Sequence, residues 1–286
     1  GQVVSKAGAP VAEAAHVELT TPDHPYVGRG GLKLAHALDT FGIDDAAVGF
    51  RNGTIDFVGH SYGVKAFYDT IINTEGRHIY PGLILPDNTL GLHEVDLVSA
   101  TSDQDDTGDL EPELRAMAAY NTDSRIVPTV RSNGVLLTQV TPRGGTVSGT
   151  SAVVQLDAWS NADAAVRADD GVHLNWPRAF RREGWWAEPG ATSREKGDER
   201  AKRLEGLRQF FLKAKAYAQR AGSTTTDLRM EAMRGLFDGS RTLYAHADGA
   251  LEIQEAVLFA HELGIARKAI VGGYDAWRVA DLLVDK

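Results

Sequence analysis

From Leu83 to the C-terminus, apolar runs of strand length alternate with stretches of helical periodicity, and this alternation restricts the chain to a parallel sheet or a barrel. The strand-like runs are Leu83-Ile84-Leu85, Val127 to Val130, Val135 to Val140, Thr242 to Ala245 and Ala269-Ile270-Val271. The helical ones are Leu110 to Tyr120, a short helix at Asp163 to Arg167, Asp198 to Arg220, Ala250 to Leu263 and Ala276 to Val284. In the longest of them Leu204, Leu207, Phe210, Phe211 and Ala214 share one face with basic residues opposite. Gly264 closes the Ala250 helix, as glycine does just past a helix end. The polar stretch Gly184 to Gly197 reads as a surface loop.

The first part of the chain has a different texture. Residues 1–49 read as short strands at Gln2-Val3-Val4 and His16-Val17-Glu18-Leu19, a loop at Thr21 to Gly31 and a helix from Leu32 to Phe41. From Arg51 the pattern suits a small sheet: Asn52-Gly53 is a tight-turn dipeptide, followed by β-rich runs at Thr54 to Val58, Thr70 to Ile72 and His78 to Tyr80. Pro81-Gly82 then breaks the chain. The expected organisation is three segments, 1–49, a sandwich-like 50–80, and a barrel-like 81–286.

Composition narrows the chemistry. The 286 residues include no cysteine, which removes disulfides, thiolate nucleophiles and thiolate ligands together, so any metal must be held by His, Asp, Glu or Lys. A net charge of −9 argues against general nucleic-acid binding. No apolar run approaches the ~18–20 residues of a membrane span, and no leader pattern is visible. The expectation is a soluble chain with no membrane partner, cytoplasmic or periplasmic; the first residue is Gly1, so the compartment stays open.

Residues 133 to 177 carry the densest functional signal. The strand run Val135 to Val140 leads into the turn Pro142-Arg143-Gly144-Gly145, then Ser148-Gly149-Thr150-Ser151, then the polar stretch Asp169-Asp170-Gly171-Val172-His173-Leu174-Asn175-Trp176-Pro177, read as a loop. A strand followed by a functional loop is how an α/β barrel builds its active rim. His173 and Asn175 flank Leu174 and face one way on an extended segment, suited to a substrate contact or a structural loop hydrogen bond. Arg143 beside two glycines suits a carboxylate, held jointly with backbone N–H groups, or is a solvent-facing turn residue. His93-Glu94 are read as structural. Trp185-Trp186 beside Arg181-Arg182 reads as a packed surface cover rather than a stacking platform.

From Arg51 onward the chain resembles metal-dependent amidohydrolases of the imidazolonepropionase-like branch. The carriers, in order, are Gly76-Arg77-His78-Ile79-Tyr80-Pro81-Gly82-Leu83-Ile84, Gly134-Val135-Leu136, Gly144 to Ser151, Val154-Gln155-Leu156-Asp157, Asp170 to Asn175, and Gly272-Gly273-Tyr274-Asp275-Ala276-Trp277-Arg278-Val279-Ala280. Residues 1–49 instead resemble the N-terminal region of hemolysin-A-type rRNA methyltransferases, through Gly1-Gln2-Val3-Val4 and Asp23-His24-Pro25-Tyr26-Val27-Gly28-Arg29-Gly30-Gly31-Leu32-Lys33-Leu34. The two resemblances together make the chain look like a join of two partial proteins.

The first resemblance implies an α/β fold, a partial (β/α) TIM-type barrel holding the first to sixth of eight strands, with a small β-rich N-terminal segment. It implies a divalent metal, zinc foremost, which lowers the pKa of bound water from about 15.7 to about 7 and polarises a carbonyl. The family's first ligands are a His-x-His pair, and the aligned positions here read Asp87-Asn88-Thr89; Asp87 suits a hard metal and Thr89 only weakly, or the triplet is simply a polar turn after a strand. His246 matches the metal-binding histidine at the end of the fifth barrel strand, and is either a ligand or a capping or supporting histidine; Gly272-Gly273 stand where many relatives carry another histidine. The metal candidates are therefore His246 and Asp87, and the catalytic candidates His173 and Arg143. The family's general-base aspartate would lie beyond Lys286.

The expected activity is hydrolysis of non-peptide C–N bonds in a small-molecule amide, impaired by the missing ligands. The alternative is a non-catalytic pseudo-enzyme or an RNA-associated fragment using Arg29, Lys33 and Lys6. Open sheet edges would favour pairing with a second copy.

Overall fold

The computed structural model describes residues 46–179 apart from Ala66 and Asp96, then 193–220 and 226–286. The readings of residues 1–45, of Trp185-Trp186 and of Arg181-Arg182 lie outside these. The chain divides into two compact units at Tyr80/Pro81.

Among its described residues the first unit contains one antiparallel hairpin, β1 (Ala46–Arg51) with β2 (Thr54–His60). Its two-residue turn is the expected Asn52-Gly53, with φ of 51° and 75°, the mirror-image turn that matches strand twist. Tyr68 Oη and Arg51 Nε both donate to Asp56, at 2.7 and 3.1 Å. Thr70 to Ile72 and His78 to Tyr80, expected as strands, are irregular. Their apolar side chains have no sheet to pack on: Ile71, Ile72 and Ile79 are all exposed.

The second unit is built on a six-stranded, barrel-like sheet in the order β3 (Leu83–Asn88), β4 (Val135–Val140), β5 (Val147–Gln155), β6 (Ala165–Asn175), β7 (Thr242–Ala247), β8 (Lys268–Gly272). Sequence alternation implied parallel strands throughout. In the structure β3, β4, β6, β7 and β8 run one way and β5 runs back, antiparallel to both neighbours. Connection length explains the exception. Parallel neighbours need a crossover of about a dozen residues or more, and the turn from Val140 to Val147 is too short for one. β4, β7 and β8 follow long crossovers, and β6 follows the return from β5.

The crossovers supply the helical layer. Between β3 and β4 lie α1 (Ala116–Ala119) and α2 (Ile126–Ser132), and α3 (Asn161–Ala164) precedes β6. Between β6 and β7 come α4 (Ser193–Ala218) and α5 (Leu228–Asp238); α6 (Ala250–Leu263) joins β7 to β8, and a 3-10 turn at Ala276–Val279 leads into α7 (Ala280–Asp285). Val172 and Leu174 of β6 and Leu243, Ala245 and Ala247 of β7 face this layer. They pack there with Leu207, Phe211 and Ala214 of α4, Met230 and Met233 of α5 and Ile253 and Val257 of α6. The α4 residues are on the face that its periodicity marked, and α6 ends at Gly264 as expected.

Several expected elements change type. Val127 to Val130 lies in α2, because Pro128 falls in the first helical turn, where its missing N–H costs nothing, and tertiary packing of Val127 overrides the β-branched run. Leu110 to Tyr120 is helical only at Ala116–Ala119, since Leu110 pairs with Val147 as an isolated bridge and Pro112 holds the residue before it extended. The helix expected at Asp163 to Arg167 ends at Ala164, where β6 begins. The polar stretch from Asp169 to Asn175 is the body of that strand rather than a loop. Of the loop expected at Gly184 to Gly197, the last residues belong to α4.

The side chain of Phe211 is completely buried between helices and its neighbour Leu212 is 40% exposed. Phe211→Ala is expected to lower the unfolding free energy by about 3–5 kcal/mol, against under about 1 kcal/mol for Leu212→Ala, measured by urea denaturation of both variants.

Candidate metal centre

Because five strands share a direction, their C-terminal ends form one rim, and Asp87 (end of β3), Arg143 (just past β4), His173 (β6) and His246 (β7) are all carried to it. β6 and β7 alternate cleanly there. Val172 and Leu174, like Leu243, Ala245 and Ala247, face the helices, so His173, Tyr244 and His246 face inward. The four candidate residues converge. One ligand atom from each of Asp87, His173 and His246 lies within 4.8 Å of the others, and Arg143 Nη1 donates to Asp87 Oδ1 at 2.7 Å.

Asp87 is held at three atoms. Its N–H donates to Gln139 Oε1 at 3.1 Å, its carbonyl accepts from Arg143 Nη2 at 2.9 Å, and Oδ1 accepts from Arg143 Nη1. Its φ is 46°, a left-handed conformation that aspartate tolerates at a cost and that local contacts must maintain. The other carboxylate oxygen, Oδ2, has no hydrogen-bond partner among the described residues and stays available to a ligand.

His173 is fully buried, and its Nδ1 lies 2.8 Å from His246 Nε2, so one of the two nitrogens carries the bridging proton. Burial, then the charge of His246, then that of Arg143 push His173 well below the usual histidine range. His246 is lowered too, chiefly by burial, with Asp87 pulling the other way and Arg143 adding to the depression. Both rings are thus neutral at pH 7, and each has one nitrogen lone pair; for both facing nitrogens to bind a cation, the bridging proton must move to the far nitrogen of its ring. Tyr244 stacks on His173, with ring centroids 4.7 Å apart and planes 15° from parallel. Its hydroxyl donates to Asp170 Oδ2 at 2.6 Å and is pushed up to about 12 by burial and by that carboxylate.

These donors fit a single divalent cation. Two neutral imidazoles and one carboxylate are the three-ligand set of catalytic zinc sites, which leave further positions for water and substrate. Arg143 bound to one oxygen of Asp87 is the kind of outer contact that orients a ligating carboxylate.

The other candidates have different places. Asn175, on the same side of β6 as His173, donates to Gly145 O at 2.8 Å and Ser148 Oγ at 2.9 Å, fastening the strand to the glycine turn. Asn88 donates to Thr138 Oγ1, and Thr89 O accepts from Leu92 N and His93 N, so neither joins the donor set. Glu94 accepts from Ser124 Oγ at 2.9 Å, a structural tie. Gly272 explains why no histidine stands at the end of β8: its φ is 88°, and a Cβ there would lie 2.4 Å from Asp248 Oδ1. Gln139, Asp170 and Tyr244 are not among the site candidates that the sequence marks. The available signals were a polar residue inside the apolar run of β4 and the Tyr244/His246 spacing of two on a strand.

A solved structure described as an amidohydrolase from Thermotoga maritima MSB8 has the same fold, with a TM-score of 0.63 over 83% of this chain at 20% identity. The chain spans 62% of that protein's length. No family model and no curated protein matches the sequence. This chain therefore shares the fold of that protein, and it carries an Asp-His-His cluster at the rim of its sheet. Among the described residues no helix is long and apolar enough to cross a membrane.

The histidine shifts set a pH dependence of stability. Each folded-state value lies below the ordinary 6.5, so the unfolded chain takes up protons first as pH falls. Stability is full above that value and is lost below it, by up to about 1.4 kcal/mol per pH unit for each histidine. Chemical denaturation between pH 8 and pH 5.5 should show this decline, and a shallower one in His173→Gln.

Proposed function

We propose that this chain is a metal-dependent amidohydrolase-type enzyme that hydrolyses non-peptide C–N bonds in small-molecule amides, as in the imidazolonepropionase-like branch. The observation that carries the reading is the convergence of Asp87, His173 and His246 at the C-terminal rim of a barrel-like sheet. Zinc is the metal that best suits two imidazoles and a carboxylate. When bound, such a cation polarises the scissile carbonyl and makes water acidic enough to supply hydroxide at neutral pH.

The protein's own part is positioning and charge. His173 and His246 stay neutral and point at one another across the centre, and Asp87 is locked with one oxygen turned free. Arg143, about one-third exposed, keeps a fixed positive charge at the mouth of the site, where it favours a substrate carrying a carboxylate. The stacked Tyr244 and the buried His173 leave little room for water behind the donors, which strengthens the electrostatics in front of them.

One observation favours a second reading, a non-catalytic binding module: Arg143 already neutralises the carboxylate that a cation would need. Metal analysis of the purified chain separates the two. The expected result is stoichiometric zinc or manganese in the parent, none in His246→Ala, and a weakening of about 10–100-fold in Arg143→Met, whose loss frees Asp87 from its orienting contact. Metal-loaded parent should then turn over cyclic or linear amides in a substrate screen. A parent without metal would leave the binding-module reading.

A further inference from the structure

Asp170 is a buried carboxylate, 5% exposed, placed within β6 between Asp169 and Gly171. It accepts three hydrogen bonds: from Tyr244 Oη at 2.6 Å and Gln139 Nε2 at 2.9 Å on Oδ2, and from Arg167 Nη1 at 3.0 Å on Oδ1. All three partners are donors, so only an acceptor-only group satisfies them together; an asparagine would turn an NH2 toward one of them.

Two of these partners continue to the candidate metal centre. An amide has one donor end and one acceptor end. With Gln139 Nε2 committed to Asp170, Oε1 is turned to Asp87 N–H, the 3.1 Å bond that helps keep Asp87 in its left-handed conformation. Tyr244, tethered by its hydroxyl, lies flat against the His173 ring. The strand supports this arrangement at Gly171, where a Cβ would stand 2.2 Å from Thr242 O and 2.6 Å from the Tyr244 ring. No other residue type would let that ring lie between Asp170 and His173.

We propose that Asp170 is a positioning residue for the Asp87–His173–His246 centre, fixing Asp87 through the orientation of the Gln139 amide and His173 through the tethered ring of Tyr244. The proposal rests on reading that cluster as a metal centre, and it predicts that one buried carboxylate with no place in the donor set governs the geometry of two of its three ligands. A purely structural carboxylate would affect stability and leave the donors where they are.

The test uses the full chain stripped of metal and titrated with Co2+ alone, followed by visible absorption, beside the side-chain 15N shifts of His173 and His246 in the metal-free protein. Asp170→Asn is expected to weaken Co2+ binding by about 10–100-fold and to change the ring-nitrogen shifts of His173 as its tautomer and orientation are released. A folded Asp170→Asn with parental Co2+ affinity and parental ring shifts, whatever its melting temperature, overturns the proposal. Should the parent itself take up no Co2+, the metal reading fails. The positioning role is then decided by the 15N shifts alone: altered in the variant they support it, unaltered they refute it. Should Asp170→Asn not fold, Tyr244→Phe, which deletes only the tethering hydroxyl, is judged by the same shifts of His173.

Discussion

The register between β6 and β7 is the constraint on which the site depends. Pairing His173 with Tyr244 and Asn175 with His246 sets both histidines and the tyrosine on the inner face while Val172, Leu174, Leu243 and Ala245 meet the helices. A slip of one residue would exchange the faces, burying histidines against Phe211 and Met233 and turning leucines into the polar centre. The apolar layer outside thus enforces the polar geometry inside. It is a layer shared by three helices, and that is why two adjacent strands hold alignment at a rim otherwise made of turns.

The strand that runs backwards is the second determinant. A six-residue connection cannot carry the chain back to the start of a parallel neighbour, so β5 descends from the rim to the base and β6 climbs again. Without that return His173 would sit at the wrong end. The β5–β6 ladder is also irregular: Ser151 pairs with Gly171 but Val153 with Arg167, so the β6 side takes up extra residues. Such irregularities re-aim side chains next to functional sites. Here it brings Asp170 inward, although it shares even numbering with the outward-facing Val172 and Leu174.

Inside, polar groups hold one another out of a costly state. Buried carboxylates and imidazoles are tolerated only when hydrogen-bonded or neutral. The Asp170 carboxylate is satisfied by Arg167, Gln139 and Tyr244, one oxygen of the Asp87 carboxylate by Arg143, and the histidines by losing their charge. At this centre His173 Nε2 is buried without a hydrogen-bond partner among the described residues. Unmet polar valence of this kind concentrates where a protein does chemistry.

The sequence by itself determined the elements governed by local rules. Asn52-Gly53 turned a hairpin because both residues accept positive φ, α6 stopped at Gly264, α4 showed its buried stripe, and β4 appeared as an apolar run at its true limits. It also marked Asp87, Arg143, His173 and His246 as candidates, because polar residues at the ends of apolar strands stand out against their neighbours. Tertiary structure decided the rest. A β-branched run became α2, a polar stretch became β6, and the three residues linking the ligands carried no local mark of a role at the site. Gln139 lies within an apolar strand, Tyr244 reads as ordinary packing, and Asp170 faces inward only because of a ladder irregularity. Contacts spanning 31 residues between Gln139 and Asp170 and 74 between Asp170 and Tyr244 have no local pattern to announce them, since they exist only once strands distant in sequence lie side by side.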